Sequence, residues 1–238
     1  MLKFQLVLEF SCLTYELYNF ATENITSNYR GRRDTNRQRT MEYKNTTGFH
    51  RGYKFVDLGF LSGIKWATCN VGAKEAEQAG LYFAFGETTG VKIGKDMNMP
   101  SVFFTKSSYN AGNITSPYGI LSPSCDAARV CMGGEWRMPT EAEVRELLLN
   151  TTKKWIRGSN NKINGMLFTS KFNGESVFFP EAGYVESGTL VDFSRKGYIW
   201  TSSDKKGNAG VLMVVPENSS FGNLPYHVGL PVRGVLDF

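Results

Sequence analysis

Histidine and cysteine are scarce in this chain of 238 residues: His50 and His227 are the only histidines, and Cys12, Cys69, Cys125 and Cys131 the only cysteines. No C-x-x-C pair occurs, so a structural zinc site lacks its usual ligand spacing. Cys125 and Cys131 are six apart, a separation that does not easily bridge on one helix. The cysteines do not fix the redox compartment. The G-x-S-x-G, H-E-x-x-H and phosphate-loop patterns are also missing. No apolar run approaches the roughly 18 residues that a membrane span needs, and no solenoid period is visible.

A net excess of either charge is nearly absent from most of the chain. The net charge is +5, and residues 30–54 hold eight Lys or Arg against Asp34 and Glu42. Residues 55–238 carry 18 basic and 17 acidic side chains, so the larger part is close to neutral. A nucleic-acid domain would concentrate its basic excess on the folded surface; a basic run in a polar stretch reads as a solvated linker. What is plentiful is glycine (25), phenylalanine (17) and tyrosine (11), a composition of turns and aromatic-rich strands.

Lys3 followed by Phe4–Leu8 hints at a secretory signal, but Glu9 interrupts the apolar core and Glu9-Phe10-Ser11 is a poor lipoprotein box before Cys12. Residues 1–20 read as a short amphipathic element or an atypical start, and 21–50 as a polar linker. The folded domain is expected over 53–238, with 1–52 as an extension. Asn-x-Ser/Thr triplets begin at Asn24, Asn45, Asn113, Asn150 and Asn218 and read as polar loop composition.

The chain is organised around Gly133–Leu148, reading GGEWRMPTEAEVRELL. Gly133 and Gly134 end whatever precedes them. Trp136 and Met138 alternate with polar residues, as in a short half-buried strand. Pro139 stops it, and Thr140 with Glu143 three positions on has the spacing of a capping box. Val144, Leu147 and Leu148 follow at helical spacing, and Glu141, Glu143 and Glu146 near the N-terminal end suit the helix dipole.

Trp136–Glu143 resembles the W-R-M/L-P-T-x-A-E core of domains with the C-type-lectin fold. That core is shared by formylglycine-generating-enzyme-like domains and by the Fibrobacter succinogenes major paralogous domain of gut bacteria. The second resemblance extends further. Val56–Ala73 is similar to its V-D-L-G-x-x-S-G-x-K-W-A-T-C-N-V-G-A block, and Tyr82–Thr89 to the next, with Phe85 where tryptophan is usual. Asp126–Arg129, Phe178–Tyr184, Gly197–Ser203 and Val232-Arg233 resemble later blocks in order and spacing. The resemblance implies an α+β, C-type-lectin-like fold of short antiparallel strands, two short helices and long irregular loops.

Short strands are expected at 55–57 and 65–68 around a Ser62-Gly63 turn, and one or two helical turns at Lys74–Ala79. A strand at 82–85 and a long excursion at 87–122 follow, then helices at about Pro123–Cys131 and Glu141–Asn150. Further strands are expected at 166–170, 176–179, 183–187, 197–202, 210–215 and 228–235. Trp66, Trp136 and Trp200 read as core, and Cys69 as a small buried residue.

Calcium-dependent lectins use Glu-Pro-Asn or Gln-Pro-Asp with Trp-Asn-Asp. Here Pro216-Glu217-Asn218 has the letters in another order and Trp-Asn-Asp is missing, so no metal site is expected. Formylglycine-generating enzymes use a C-terminal cysteine pair, and no cysteine follows Cys131. The resemblance therefore implies a non-catalytic, surface-exposed module that recognises a glycan or a protein and needs no cofactor. The alternatives are an enzyme of the related fold with an altered site, or a structural display domain. Relatives such as the variable proteins of diversity-generating retroelements display changeable residues on C-terminal strands and loops. The polar turn at 203–208 and the loop expected at 217–226 make Asp204, Lys205, Asn208, Asn218, Asn223, Tyr226 and His227 the candidate ligand-binding residues, centred on Tyr226. A bacterial cell-surface or extracellular location is expected, with no nucleic-acid partner and no membrane span.

Overall fold

The structure is a computed structural model that describes residues 47–93, 104–109, 114–158, 162–216 and 218–237. They belong to one compact unit, Lys44–Phe238. The expectations for residues 1–46, and for the parts of the long excursion at 94–103 and 110–113, lie outside the described residues.

The elements in chain order begin with β1 (Thr47–His50), β2 (Tyr53–Asp57), β3 (Lys65–Asn70), β4 (Leu81–Phe83) and β5 (Val91–Lys92). A 3-10 turn at Pro123–Cys125 precedes α1 (Ala127–Met132) and α2 (Glu141–Asn150). Then come β6 (Thr151–Ile156), β7 (Gly165–Ser170), β8 (Ser176–Pro180), β9 (Tyr184–Glu186) and β10 (Thr189–Val191). The chain closes with β11 (Gly197–Asp204), β12 (Asn208–Val214), β13 (Ser220–Pro225), β14 (Leu230–Pro231) and β15 (Arg233–Leu236). The sheets are small and antiparallel, in orders β1-β2-β3-β15, β6-β7-β8, β10-β9, β14-β4-β5 and β11-β12-β13. With two helices this is an α+β fold. Among the described residues no helix is long and apolar enough to cross a membrane.

The β11–β12 pair sits inside the core and is buried on both faces, with β13 partly buried at its edge. On one face Trp200 and Val211 pack with Trp136, Phe83 and Phe85; on the other Ile199, Leu212 and Val214 pack with Val144 and Leu147 of α2. This explains the near-continuous apolar run of β12, since alternation is expected only where one face meets water. Trp66, Trp136 and Trp200 are all fully buried. Arg233 is buried too, and among the described residues it has no ion pair with a carboxylate. Its guanidinium donates to Asn70 Oδ1 at 2.8 Å, Ala67 O at 2.9 Å and Phe178 O at 3.1 Å, and lies 4.6 Å from the Phe179 ring centre.

The organising stretch forms as its residues dictate. Asp126 caps α1 by accepting from Arg129 N at 3.0 Å, and its other oxygen accepts from Met138 N at 2.8 Å, which ties the helix to the tryptophan segment. Thr140 and Glu143 form both halves of the capping box. Trp136 and Met138 point inward while Glu135 is exposed, although the pairing is a single bridge, Arg137 to Val235, rather than a strand. Gly134 has φ +61°, and a Cβ there would meet His50 Nε2 at 2.6 Å, so the glycine lets β1 close over the motif.

Several elements differ from expectation. The domain boundary expected at 52/53 falls inside the β1–β2 hairpin. His50 faces Tyr53, and the two-residue turn Arg51-Gly52 takes φ +52° and +83°, the positive pair that a type I′ hairpin requires. Lys74–Ala79 is not helical: Gln78 Oε1 accepts from Lys74 N at 2.9 Å, and Asn70 Nδ2 holds Ala79 O at 2.9 Å, so these side chains take backbone groups a helix would have used. Pro123–Cys125 and α1 are separate, because Asp126 is extended (φ −89°, ψ 109°); Ala127, Ala128 and Met132 are the buried residues of α1, and Cys131 and Cys69 are only partly buried. Residues 220–225, expected in a loop, form β13, paired with β12 from Ser220–Met213 to Pro225–Asn208. Strand β6, absent from the sequence expectation, leaves α2 directly, with Thr151 Oγ1 donating to Leu147 O at 2.6 Å.

Candidate functional site

The register of β11-β12-β13 divides the expected site. Asp204 faces Ala209, Asn208 faces Pro225 and Gly210 faces Asn223. Asp204, Lys205, Asn208, Asn223, Tyr226 and His227 therefore gather at one end of the sheet. Asn218 lies in the turn at the other end, where Met213 faces Ser220. It is separated from Asn208 by the length of β12, roughly 20 Å at about 3.3 Å per residue. Asn218 does not belong to the same surface.

Three of the gathered side chains are committed to internal partners. Asp204 Oδ1 accepts from Lys206 N at 2.7 Å, an Asx turn that shapes the hairpin, and it also accepts the Tyr226 hydroxyl proton. Lys205 pairs with Glu141 at the start of α2. The Tyr226 ring stacks on Phe85 with centroids 5.0 Å apart and 20° between planes, and its hydroxyl accepts from Gly207 N at 2.8 Å. Tyr226 is thus a packing pillar rather than an exposed anchor, and both burial and the Asp204 bond raise its phenol above its ordinary value. Asn208 and Asn223 are exposed. His227 is partly buried, with Nε2 3.6 Å from Glu186 Oε1.

His227 also lines an open cleft of about 630 Å³. The opposite wall is the turn after β4. Glu87 N donates to Ala84 O at 3.1 Å and Gly86 has φ +82°, the third-position geometry of a type II turn that favours glycine. A Cβ on Gly86 would meet Ile114 at 3.1 Å as well. This turn delivers Glu87, Thr88 and Thr89 to the cleft; the Thr88 carbonyl accepts from Cys131 Sγ at 3.5 Å. Buried Ala84 and Phe104 form the base, and exposed Glu87, Thr89 and Ser108 the rim. Tyr109 completes the wall, with its hydroxyl donating to Phe85 O at 2.6 Å and its ring 6.0 Å from that of Tyr226.

The electrostatics of the cleft are one-sided. Among the described residues no Lys or Arg lines it. The protein around Glu87 removes part of its water and raises its carboxyl above the ordinary value. Tyr109 is raised as well, by burial first and then by the charge of Glu87. Among the described residues no group of three or more His, Cys, Asp or Glu is arranged to hold a metal ion.

Sequence reasoning missed Glu87, Thr88, Thr89, Phe104 and Tyr109. A signal existed for the first three: Gly86 directly after an apolar strand, followed by three polar residues, marks a tight turn with its side chains held out. Nothing local marks Phe104 or Tyr109, which reach the cleft through long-range packing.

Comparison with protein-family models, with curated proteins and with solved structures returns no match.

Proposed function

We propose that this chain is a non-catalytic, surface-displayed binding module of the C-type-lectin fold, similar to the Fibrobacter succinogenes major paralogous domain, on the outside of a bacterial cell. Its ligand is a glycan or a protein, held without a cofactor at the end of the β11-β12-β13 sheet and in the adjoining cleft. One observation carries this reading: His227, just after β13, and the turn at 84–87 line one open cavity, and the Phe85–Tyr226 stack with the Phe85 N to Tyr226 O bond of 2.8 Å ties that turn to the end of the β11-β12-β13 sheet. A cavity of about 630 Å³ lies within the roughly 300–1,000 Å³ range of small-ligand sites. Its aromatic walls, with the Thr88 and Thr89 hydroxyls beside them, have the chemistry of a sugar site. Glycan is the ligand class favoured over protein.

The full chain is to be probed on an array of glycans and proteins, with His227→Ala and Thr89→Ala alongside. Binding of a glycan that falls at least tenfold in one of these variants, with the melt unchanged and chelator without effect, supports the reading. Binding that both variants retain moves the site off the cleft. Binding abolished by chelation restores a calcium-lectin reading.

A further inference from the structure

We propose that the cleft selects a sugar bearing a protonated amine, and that Glu87 is the residue that reads the amine. The inference rests on the ligand-binding reading above and adds the ligand's charge.

Glu87 is the unmatched charge of this region. Two other acidic side chains are occupied: Asp204 at the sheet end by Tyr226 and Lys206 N–H, and Glu186 by the imidazole of His227. Among the described residues the Glu87 carboxylate has no ion pair and no side-chain hydrogen bond, and no basic side chain other than His227 lines the cleft. The carboxylate stands exposed at the rim of the cleft, with part of its water removed by the surrounding protein. The type II turn fixes its backbone at the rim rather than letting it turn away. A cation brought by the ligand supplies the missing partner, with a charge-assisted hydrogen bond stronger than one to a neutral hydroxyl.

The rest of the wall fits the same ligand. The Tyr109 ring lies close enough to Glu87 for that charge to oppose ionisation of the phenol. Aromatic faces attract cations within about 6 Å and also cover the apolar faces of sugar rings. Thr88 and Thr89 carry hydroxyls with no hydrogen-bond partner among the described side chains, and these suit the ring hydroxyls of a saccharide. An amino sugar presents all three features together, whereas a fully acetylated or neutral sugar leaves Glu87 unpaired.

The test is calorimetry on the full chain at about pH 6, where a sugar amine is protonated. The probes are a glucosamine tetramer, the N-acetylglucosamine tetramer and tetralysine. The glucosamine tetramer is expected to bind at least tenfold more tightly than its acetylated counterpart. Glu87→Gln should bring the two within about threefold of each other with the melt retained, because a neutral amide gives no charge-assisted bond. Thr89→Ala should weaken both sugars alike, which separates sugar contact from amine reading. Equal binding of the two tetramers by the wild type, or selectivity that survives Glu87→Gln, overturns the amine assignment and leaves the glycan reading standing. Tetralysine bound as tightly as the glucosamine tetramer overturns the sugar assignment. No binding of either tetramer removes both proposals.

Discussion

The Tyr226 hydroxyl donates to Asp204 Oδ1 and accepts from Gly207 N–H at 2.8 Å, so one phenol holds the β11–β12 turn against the segment that leaves β13. Losing the hydroxyl removes a bond to a charged group, worth about 1.5–3 kcal/mol, less at a partly exposed position. Tyr226→Phe is expected to lower stability by about 1 kcal/mol in denaturant unfolding. Tyr226→Ala also removes the ring stacked on Phe85 and should cost roughly 3 kcal/mol or more. Equal losses in the two variants would mean that the stacked ring contributes nothing.

Two buried tryptophans differ in one bond. Trp200 Nε1 donates to Phe83 O at 2.8 Å, whereas Trp66 Nε1 has no hydrogen-bond partner among the described residues. Trp200→Phe strands a buried carbonyl, a penalty of about 1–3 kcal/mol on top of lost packing. Trp66→Phe loses packing and also removes an unmet N–H. Thermal or chemical melts should show Trp66→Phe as the milder change by about 1 kcal/mol. The reverse order would contradict the hydrogen-bond assignment.

Glu143 serves the capping box and an ion pair at once. Its carboxylate accepts from Thr140 N at 2.8 Å and from both arms of Arg137 at 2.9 and 2.6 Å. Burial alone would raise its pKa, but the Arg137 fork and the Thr140 N–H outweigh burial and hold it below the ordinary 4.5. A lowered folded value means a contribution present above about pH 4.5 that is lost as the pH falls through the folded value. Glu143→Gln should cost about 1–3 kcal/mol at neutral pH. The gap from wild type should shrink on acidification below pH 4.5. A gap that stays constant with pH would show that the ionised carboxylate adds nothing.

The hairpin β1–β2 makes the N-terminal boundary testable. His50 O accepts from Trp136 Nε1 at 3.1 Å, so β1 completes the organising motif. A chain starting at Lys44 should melt cooperatively. One starting at Tyr53 loses the strand and leaves a buried indole N–H unmet, and should be less stable by at least about 1–3 kcal/mol. Identical melts would place β1 outside the core.

Gly133–Leu148 was legible because its signals are local. A helix cap needs residues three apart, and an amphipathic helix needs only its own period, so the Thr140–Glu143 box, the span Glu141–Asn150 and the buried Val144 and Leu147 follow from neighbours in the chain. The burial of Trp66, Trp136 and Trp200 was legible for a related reason, the size of an apolar side chain that water cannot accommodate cheaply. Strand β13 was not legible. Its Ser-Phe-Gly-Asn-Leu-Pro sequence has little intrinsic strand preference, and it pairs because β12 presents Gly210, over which the Phe221 ring passes.

The candidate site divides along the same line. The polar residues of the last hairpins stand out from composition, but alternation along a strand cannot say which end of a sheet a turn occupies. Register alone moved Asn218 away from Asn208 and turned Tyr226 onto Phe85. The cleft joins residues 84–91, 104–109 and 227, distant in sequence, and exists only because long-range packing brings them to one wall. By itself the sequence determined where one helix begins, where its apolar face lies and which large rings are buried, since these depend on a residue and its near neighbours. Tertiary structure decided which polar groups are spent on each other and which, like Glu87, have no such partner among the described residues, because partners in a fold are chosen by contacts across the chain.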